Sequence, residues 1–231
     1  MIDIYGPYEV LQWVGKLQQI DVALISDTME PVTSKPGSAA MGKSLWAIEV
    51  RHALIVSPRS IDPFNSTVYP SITPTHTFNN APDLDVLIIP GGPGMRAPEM
   101  NATLAYIAKT APNVKHVINI CTGSALAARA GIMDGKIATT HKTSWPITYG
   151  PKTTWVGNAR WVEDDSGSPP VWSSSGVTSG LDLMFQFVEK FYSPENATHI
   201  TKMMEYVRNT DPNNDPFARN ETVVPTAKLW V

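Results

Sequence analysis

The stretch that decides the fold runs Val117-Ile118-Asn119-Ile120-Cys121-Thr122-Gly123-Ser124-Ala125-Leu126-Ala127-Ala128. It opens with β-branched apolar residues, the composition of a buried strand. It then reaches Cys121, the only cysteine in the chain. A turn of small residues follows, and then the helix-forming run from Ala125 to Ala130. A strand, a sharp turn that carries a nucleophile and a helix together form a nucleophile elbow. At such a corner the helix N-terminus favours a thiolate over a thiol. The same pattern also suits a buried structural cysteine, because free Cys often serves as a small core hydrophobe.

The surrounding chain alternates strand and helix patterns. Val86–Ile89 reads as a buried strand, and Asp21–Ser26, Ile137–His141 and Val171–Ser173 as further strands. Ala53–Val56, Thr153–Val156 and Arg160–Glu163 are weaker strand candidates. Helices are expected over Gly6–Gln18, with Pro7 in the first turn, and over Ala97–Thr110, Leu181–Phe191 and Pro194–Arg208. Ser193 is the expected N-cap of the last. Such alternation implies a parallel sheet with helices on both faces. Ligands in these folds bind outside the carboxyl ends of the strands, where the elbow and the turn after Ile89 both lie. No linker interrupts the 231 residues, so a single domain over 1–231 is expected. The stretch between Trp46 and Pro74, with a loop from Ser57 to Tyr69, has no assignable role.

Composition narrows the function. Hydrophobic residues make up 42% and charged residues 17%, and the net charge is −3 without a basic stripe. This argues against nucleic acid as a partner. No apolar run is long enough to span a bilayer, so no membrane role is expected. One cysteine excludes an intramolecular disulfide, and the five scattered histidines give no metal signal.

Four stretches together resemble the ThiJ/PfpI superfamily, the class I glutamine amidotransferase-like proteins. They are Ile120-Cys121-Thr122-Gly123-Ser124; Ala130-Gly131-Ile132-Met133-Asp134-Gly135-Lys136 with Ala138-Thr139-Thr140-His141; Leu87-Ile88-Ile89-Pro90-Gly91-Gly92-Pro93-Gly94; and Ser175-Gly176-Val177-Thr178-Ser179-Gly180-Leu181-Asp182. The likeness runs from Asp3 to about Phe217. It implies a flavodoxin-like three-layer α/β sandwich with a mostly parallel sheet. Cys-Thr-Gly at the elbow is similar to the isonitrile hydratase branch. Many relatives carry histidine where this chain has Thr122, which weakens a glyoxalase or deglycase reading.

The resemblance assigns roles. Cys121 is the expected nucleophile, and Asp3 the acidic residue beside it. Asp3 would be raised in pKa by like charge and burial, and so able to hand over a proton. A solvated residue near the chain start is the plainer reading of Asp3, and Glu9 is the alternative acid. Thr122 would orient ligand or water through its hydroxyl. Gly91 and Gly92 lack side chains, and the Gly92 and Thr122 N–H groups would form an oxyanion hole. His141 resembles a family histidine near the cysteine, and a structural role suits it equally. Trp145, Trp172 and Tyr5 are candidates for an apolar pocket wall.

The implied activity is a cofactor-independent lyase that adds water to a small isonitrile to give an N-substituted formamide. A glyoxalase or deglycase, or a redox-responsive non-enzymatic protein, are the alternatives. The expected partners are a small-molecule substrate and a second copy in a homodimer. A cytoplasmic location is expected, although sequons at Asn65, Asn101, Asn196 and Asn220 keep secretion open. Relatives begin with an apolar inner strand that is absent here. The sequence reading favours a missing N-terminus over a sheet one strand short. It also expects Asp3, two residues from the start, to be poorly ordered.

Overall fold

In the computed structural model the described residues are 2–33, 52–54, 70–92, 100–147 and 150–223. In chain order the helices are α1 (Ile2–Val14), α2 (Asn101–Thr110), α3 (Gly123–Arg129), α4 (Val177–Phe191) and α5 (Pro194–Met203). The strands before α2 are β1 (Val22–Ala23), β2 (Ile25–Ser26), β3 (Val32–Thr33), β4 (His52–Leu54), β5 (Ser71–Ile72), β6 (His76–Thr77) and β7 (Val86–Ile89). Those after it are β8 (His116–Asn119), β9 (Ile137–Ala138), β10 (Thr154–Val156), β11 (Trp161–Asp164), β12 (Val171–Ser174) and β13 (Thr222–Val223).

The main sheet has the order β1-β4-β7-β8-β12-β11, and only the β11–β12 pair is antiparallel. Every residue of β7 is buried. Its side chains alternate between two cores, as the period of a strand requires. Val86 and Ile88 join the core that holds Ile4, Leu11 and Phe185 of α1 and α4. Leu87 and Ile89 join the core that holds Ile107 and Leu126 of α2 and α3. Two helical layers enclose one sheet, so the architecture is a flavodoxin-like α/β sandwich. Among the described residues no helix is long and apolar enough to cross a membrane.

Several expectations are adjusted. The strand expected over Asp21–Ser26 is split: β1 enters the main sheet, while β2 pairs with β6 in a separate ribbon. The stretch after Pro31, in which no strand was expected, holds β3, which pairs with β5. The inner sheet position that the sequence left without a strand, between β1 and β7, is held by β4. β4 overlaps the weaker strand candidate Ala53–Val56, in a stretch that otherwise had no assignable role. The strand expected to end at His141 stops at Ala138, because β9 belongs to a small sheet with β10 and β13. The Ser57–Tyr69 loop and residues 97–99 lie outside the described residues.

The helix expected from Gly6 begins at Ile2 and contains Pro7. Pro7 sits so early that its ring removes a single helical bond, the one that would end on the Asp3 carbonyl. Asp3 is therefore inside a helix and only 4% exposed, where the sequence position suggested a frayed end. Ile4, Val10, Leu11 and Val14 bury the inner face of α1 and hold Asp3 in place.

Ser193 caps α5 by accepting from the Asn196 N–H at 3.1 Å, as expected, and the helix stops at Met203 rather than Arg208. Glu205 then takes a positive φ of 49°. The chain past that point folds back. Tyr206 Oη and the Asn209 N–H both donate to Asp182 Oδ1 at 2.9 Å, and Arg160 pairs with Asp182 Oδ2 at 2.6 Å. The Arg160 N–H donates to the Pro212 carbonyl, and the Gly157 N–H to that of Glu221. The tail is thus bound to the strand loops beside the elbow.

Candidate active site

Cys121 follows the end of β8 and directly precedes the Thr122 cap and α3. Its φ is +58°, a conformation that costs a non-glycine residue energy and marks strained functional turns. The surroundings enforce this geometry. Ser124 Oγ and Thr140 Oγ1 both donate to the Cys121 carbonyl, at 2.9 and 3.0 Å, and the Cys121 N–H reaches Ser174 Oγ at 3.4 Å. Gly123 is required by contact alone, since a Cβ there would lie 1.9 Å from the Ile89 carbonyl oxygen.

The turn after β7 closes on this elbow. A Cβ on Gly91 would lie 2.5 Å from the Thr122 nitrogen and 2.9 Å from Cys121 Cβ. The absence of a side chain lets the two backbones touch. Gly92 donates its N–H to Thr122 Oγ1 at 2.8 Å, and the same hydroxyl donates back to the Gly92 carbonyl at 3.2 Å. In this state the Gly92 N–H, expected in an oxyanion hole, is engaged by Thr122. The Thr122 hydroxyl, expected to face ligand, holds the glycine turn. Thr122 lowers the Cys121 pKa through its backbone and side chain.

Asp3 arrives from α1. Its carboxyl group is buried close enough to the Cys121 thiol and the Gly91 N–H for both to act on its pKa, while Oδ1 has no hydrogen-bond partner among the described residues. Burial pushes the Asp3 pKa up, and the thiol, the His141 charge and the Gly91 N–H oppose this. Burial and then the Asp3 charge push the Cys121 thiol well up, against the Thr122 contacts. The sequence reading expected the helix N-terminus to favour thiolate. At 5% exposure, desolvation wins instead, and both groups hold protons more tightly than they would in water. Two buried acids coupled in this way can exchange a proton if they come within hydrogen-bond reach.

His141 is half-buried, and Thr143 Oγ1 lies 2.8 Å from its Nδ1. Burial lowers its pKa while Asp3 raises it, which places the imidazole within the field of the Asp3–Cys121 pair. It also lines a cavity of about 270 Å³ together with Ser175, Gly176, Val177 and Phe217. None of the expected aromatic wall residues lines this cavity. Trp145 and Trp172 are buried in the two cores, and Tyr5 is exposed on α1. Glu9 is exposed and accepts from Trp13 Nε1, away from the cysteine. Among the described residues no group of three or more His, Cys, Asp or Glu is placed to hold a metal ion.

The profile of the DJ-1/PfpI family matches residues 1–190. The chain belongs to the DJ-1/PfpI family. This DJ-1/PfpI protein is 27% identical over 210 residues to the isonitrile hydratase of Pseudomonas putida, covering 89% of this chain and 73% of that one. It is also 27% identical over 137 residues to the HTH-type transcriptional regulator GbdR of Pseudomonas aeruginosa (strain UCBPP-PA14), covering 59% of this chain and only 36% of the regulator. Among solved structures it resembles a ThiJ/PfpI family protein from Pseudomonas syringae, with a TM-score of 0.64 and 25% identity over 92% of this chain and 72% of that one. An AraC family transcriptional regulator from Pseudomonas putida aligns with a TM-score of 0.57 and 16% identity, over 88% of this chain and 92% of that one, which speaks to fold alone.

Sequence reading missed the supports of this DJ-1/PfpI elbow. Ser174 and Thr140 carried no signal beyond a small polar residue at a strand end. Lys142 and Asp215 were also missed. Lys142 Nζ is buried, donates to Thr139 Oγ1 at 2.8 Å and to the Ala159 carbonyl at 2.6 Å, and lies 3.4 Å from Asp215 Oδ2. The last contact is an ion pair in distance but not aligned as a hydrogen bond. Phe217 follows the run Asp211-Pro212-Asn213-Asn214-Asp215-Pro216, whose turn-forming residues give no sign of a site.

Proposed function

We propose that this protein is a cofactor-independent hydratase that converts a small isonitrile to an N-substituted formamide. The observation that carries the reading is the Asp3 carboxyl, buried and electrostatically coupled to the buried Cys121 thiol at a strained elbow. The extended likeness to an isonitrile hydratase supports it.

An isonitrile needs a nucleophile and a proton at the same carbon. Cys121 Sγ bonds to the terminal carbon of R–N≡C, and that carbon takes a proton relayed from the thiol through Asp3. The product is the thioimidate R–N=CH–S–Cys121. Water then adds to the same carbon, its oxygen bonding there while a proton goes to nitrogen. The C–S bond breaks, R–NH–CHO leaves and the sulfur regains a proton. A thiol that holds its proton tightly beside a carboxyl whose pKa is raised suits this addition, in which a proton is delivered as the S–C bond forms. The Thr122 backbone favours the sulfur anion, which supports its role in stabilising sulfur as it leaves.

The test compares formamide from cyclohexyl isonitrile with lactate from methylglyoxal, both by proton NMR. Formamide without lactate is the expected result. Lactate alone would put the glyoxalase or deglycase alternative in its place. A second reading draws on the likeness to transcriptional regulators: a domain that binds a small molecule at this site without turning it over. Saturable binding of the isonitrile with no product would favour it.

A further inference from the structure

The turn that carries Phe217 is fixed from several sides. The Phe217 N–H donates to Asp215 Oδ1 at 3.0 Å, and the Ala218 N–H to the Asp215 carbonyl. Asp215 is buried against Lys142, and the Arg219 N–H donates to the Gly157 carbonyl. An anchored turn of this kind usually buries its large apolar residue. Phe217 is instead 72% exposed and stands on the rim of the cavity beside His141. Exposed ring surface of that size gains free energy when an apolar group covers it.

The other walls indicate what that group is. Val177, Gly176 and the methyl of Thr178 add apolar surface. Lys142 also lines the cavity, but its ammonium is committed to Thr139, Ala159 and Asp215. The cavity thus meets the stem of Lys142 without a free cation, which disfavours an anionic ligand. At about 270 Å³ it falls just below the range for drug-sized ligand sites, roughly 300–1,000 Å³, which suits a small substituent. It lies beside the elbow, because Thr140, which bonds the Cys121 carbonyl, precedes His141, and Ser174, which receives the Cys121 N–H, precedes Ser175.

We propose that this cavity is the substituent subsite of the reaction, that it takes a neutral, apolar, ring-sized group, and that Phe217 is the residue that selects it. The identity of the reacting group rests on the hydratase reading; the subsite does not. It is tested twice. First, Cys121 alkylation is timed with iodoacetamide and with N-cyclohexyl iodoacetamide, each rate normalised to glutathione. Second, formamide is measured from methyl and cyclohexyl isonitrile. The wild-type protein, Phe217→Ala and Phe217→Leu are compared.

The wild-type thiol should prefer the cyclohexyl reagent. Phe217→Ala should lose that preference by roughly tenfold, the scale on which apolar pockets discriminate, while Phe217→Leu keeps most of it. An alanine variant with unchanged preference, or with equally altered rates for both reagents, overturns the proposal. So does an alanine variant that changes oligomeric state, since Phe217 would then belong to an interface. If no isonitrile yields formamide but the alkylation preference behaves as stated, the hydratase reading fails and the subsite stands.

Discussion

Thr122 Oγ1 accepts from the Gly92 N–H at 2.8 Å and donates to the Gly92 carbonyl at 3.2 Å, so one hydroxyl closes the glycine turn onto the nucleophile elbow. This ties the end of β7 to the start of α3 and holds Gly91 against Thr122 and Cys121.

Thr122→Val keeps the shape of the side chain and removes both bonds. The part-buried Gly92 N–H is then left without its partner, which costs about 1–3 kcal/mol. Urea unfolding should show a lower midpoint with an unchanged slope, and Thr122→Ser should recover most of the loss. A valine variant with the wild-type midpoint would mean that the turn does not depend on this hydroxyl.

Cys121→Ser should abolish formamide production with little change in melting temperature. The replacement is close in size, and a hydroxyl is a far weaker nucleophile than sulfur. The expected loss is several orders of magnitude. Retention of about a tenth of the wild-type rate would rule out attack by sulfur.

Asp3 governs a pH dependence whose sign can be stated. Its folded pKa is raised above the ordinary 3.8, mainly by burial. The folded state therefore binds this proton more tightly than the unfolded chain does. The associated stability is fully present below pH 3.8 and is lost as pH rises through the folded value. Asp3→Asn removes this term. The variant should melt higher than wild type at neutral pH, and the gap should close as the solution is acidified below pH 4. A gap that widens on acidification would show that Asp3 is held ionised.

Asp182 is fully enclosed, and its partner Arg160 nearly so, with side-chain exposures of 0% and 9%. Asp182→Asn leaves the guanidinium buried without its counter-charge, and it weakens the anchors of Tyr206 and Asn209. Breaking such a pair costs about 3–5 kcal/mol, so the melting temperature should fall by roughly ten degrees. The double variant Asp182→Leu, Arg160→Met should recover part of it. A fall of no more than a degree or so would mean that water reaches the pair.

The elbow was legible because its requirements are local. β-Branched residues before Cys121 and small residues after it can be read from a dozen positions, and Val86–Ile89 was legible for the same reason. Asp3 was placed beside the cysteine only by family resemblance; nothing in its neighbours shows that α1 starts at Ile2. β4 overlaps the weaker strand candidate Ala53–Val56, but its place in the sheet was not legible because its pairing partners, β1 and β7, are distant in sequence. The engagement of Gly92 by Thr122 depends on the meeting of two turns thirty residues apart. Phe217 was missed because an exposed side chain leaves no periodic trace.

The fold-back of the tail onto Arg160, Gly157 and Lys142 has a consequence for how the site comes into being. Asp3 lies near one end of the sequence and Phe217 about two hundred residues later. During synthesis at roughly 5–20 residues per second, α1 leaves the ribosome many seconds before the turn that holds Phe217. Through that interval Cys121 can already be housed in its elbow while the rim of the cavity is unfinished. Small thiol reagents in the cell would meet a more open cysteine on the nascent chain than on the finished protein.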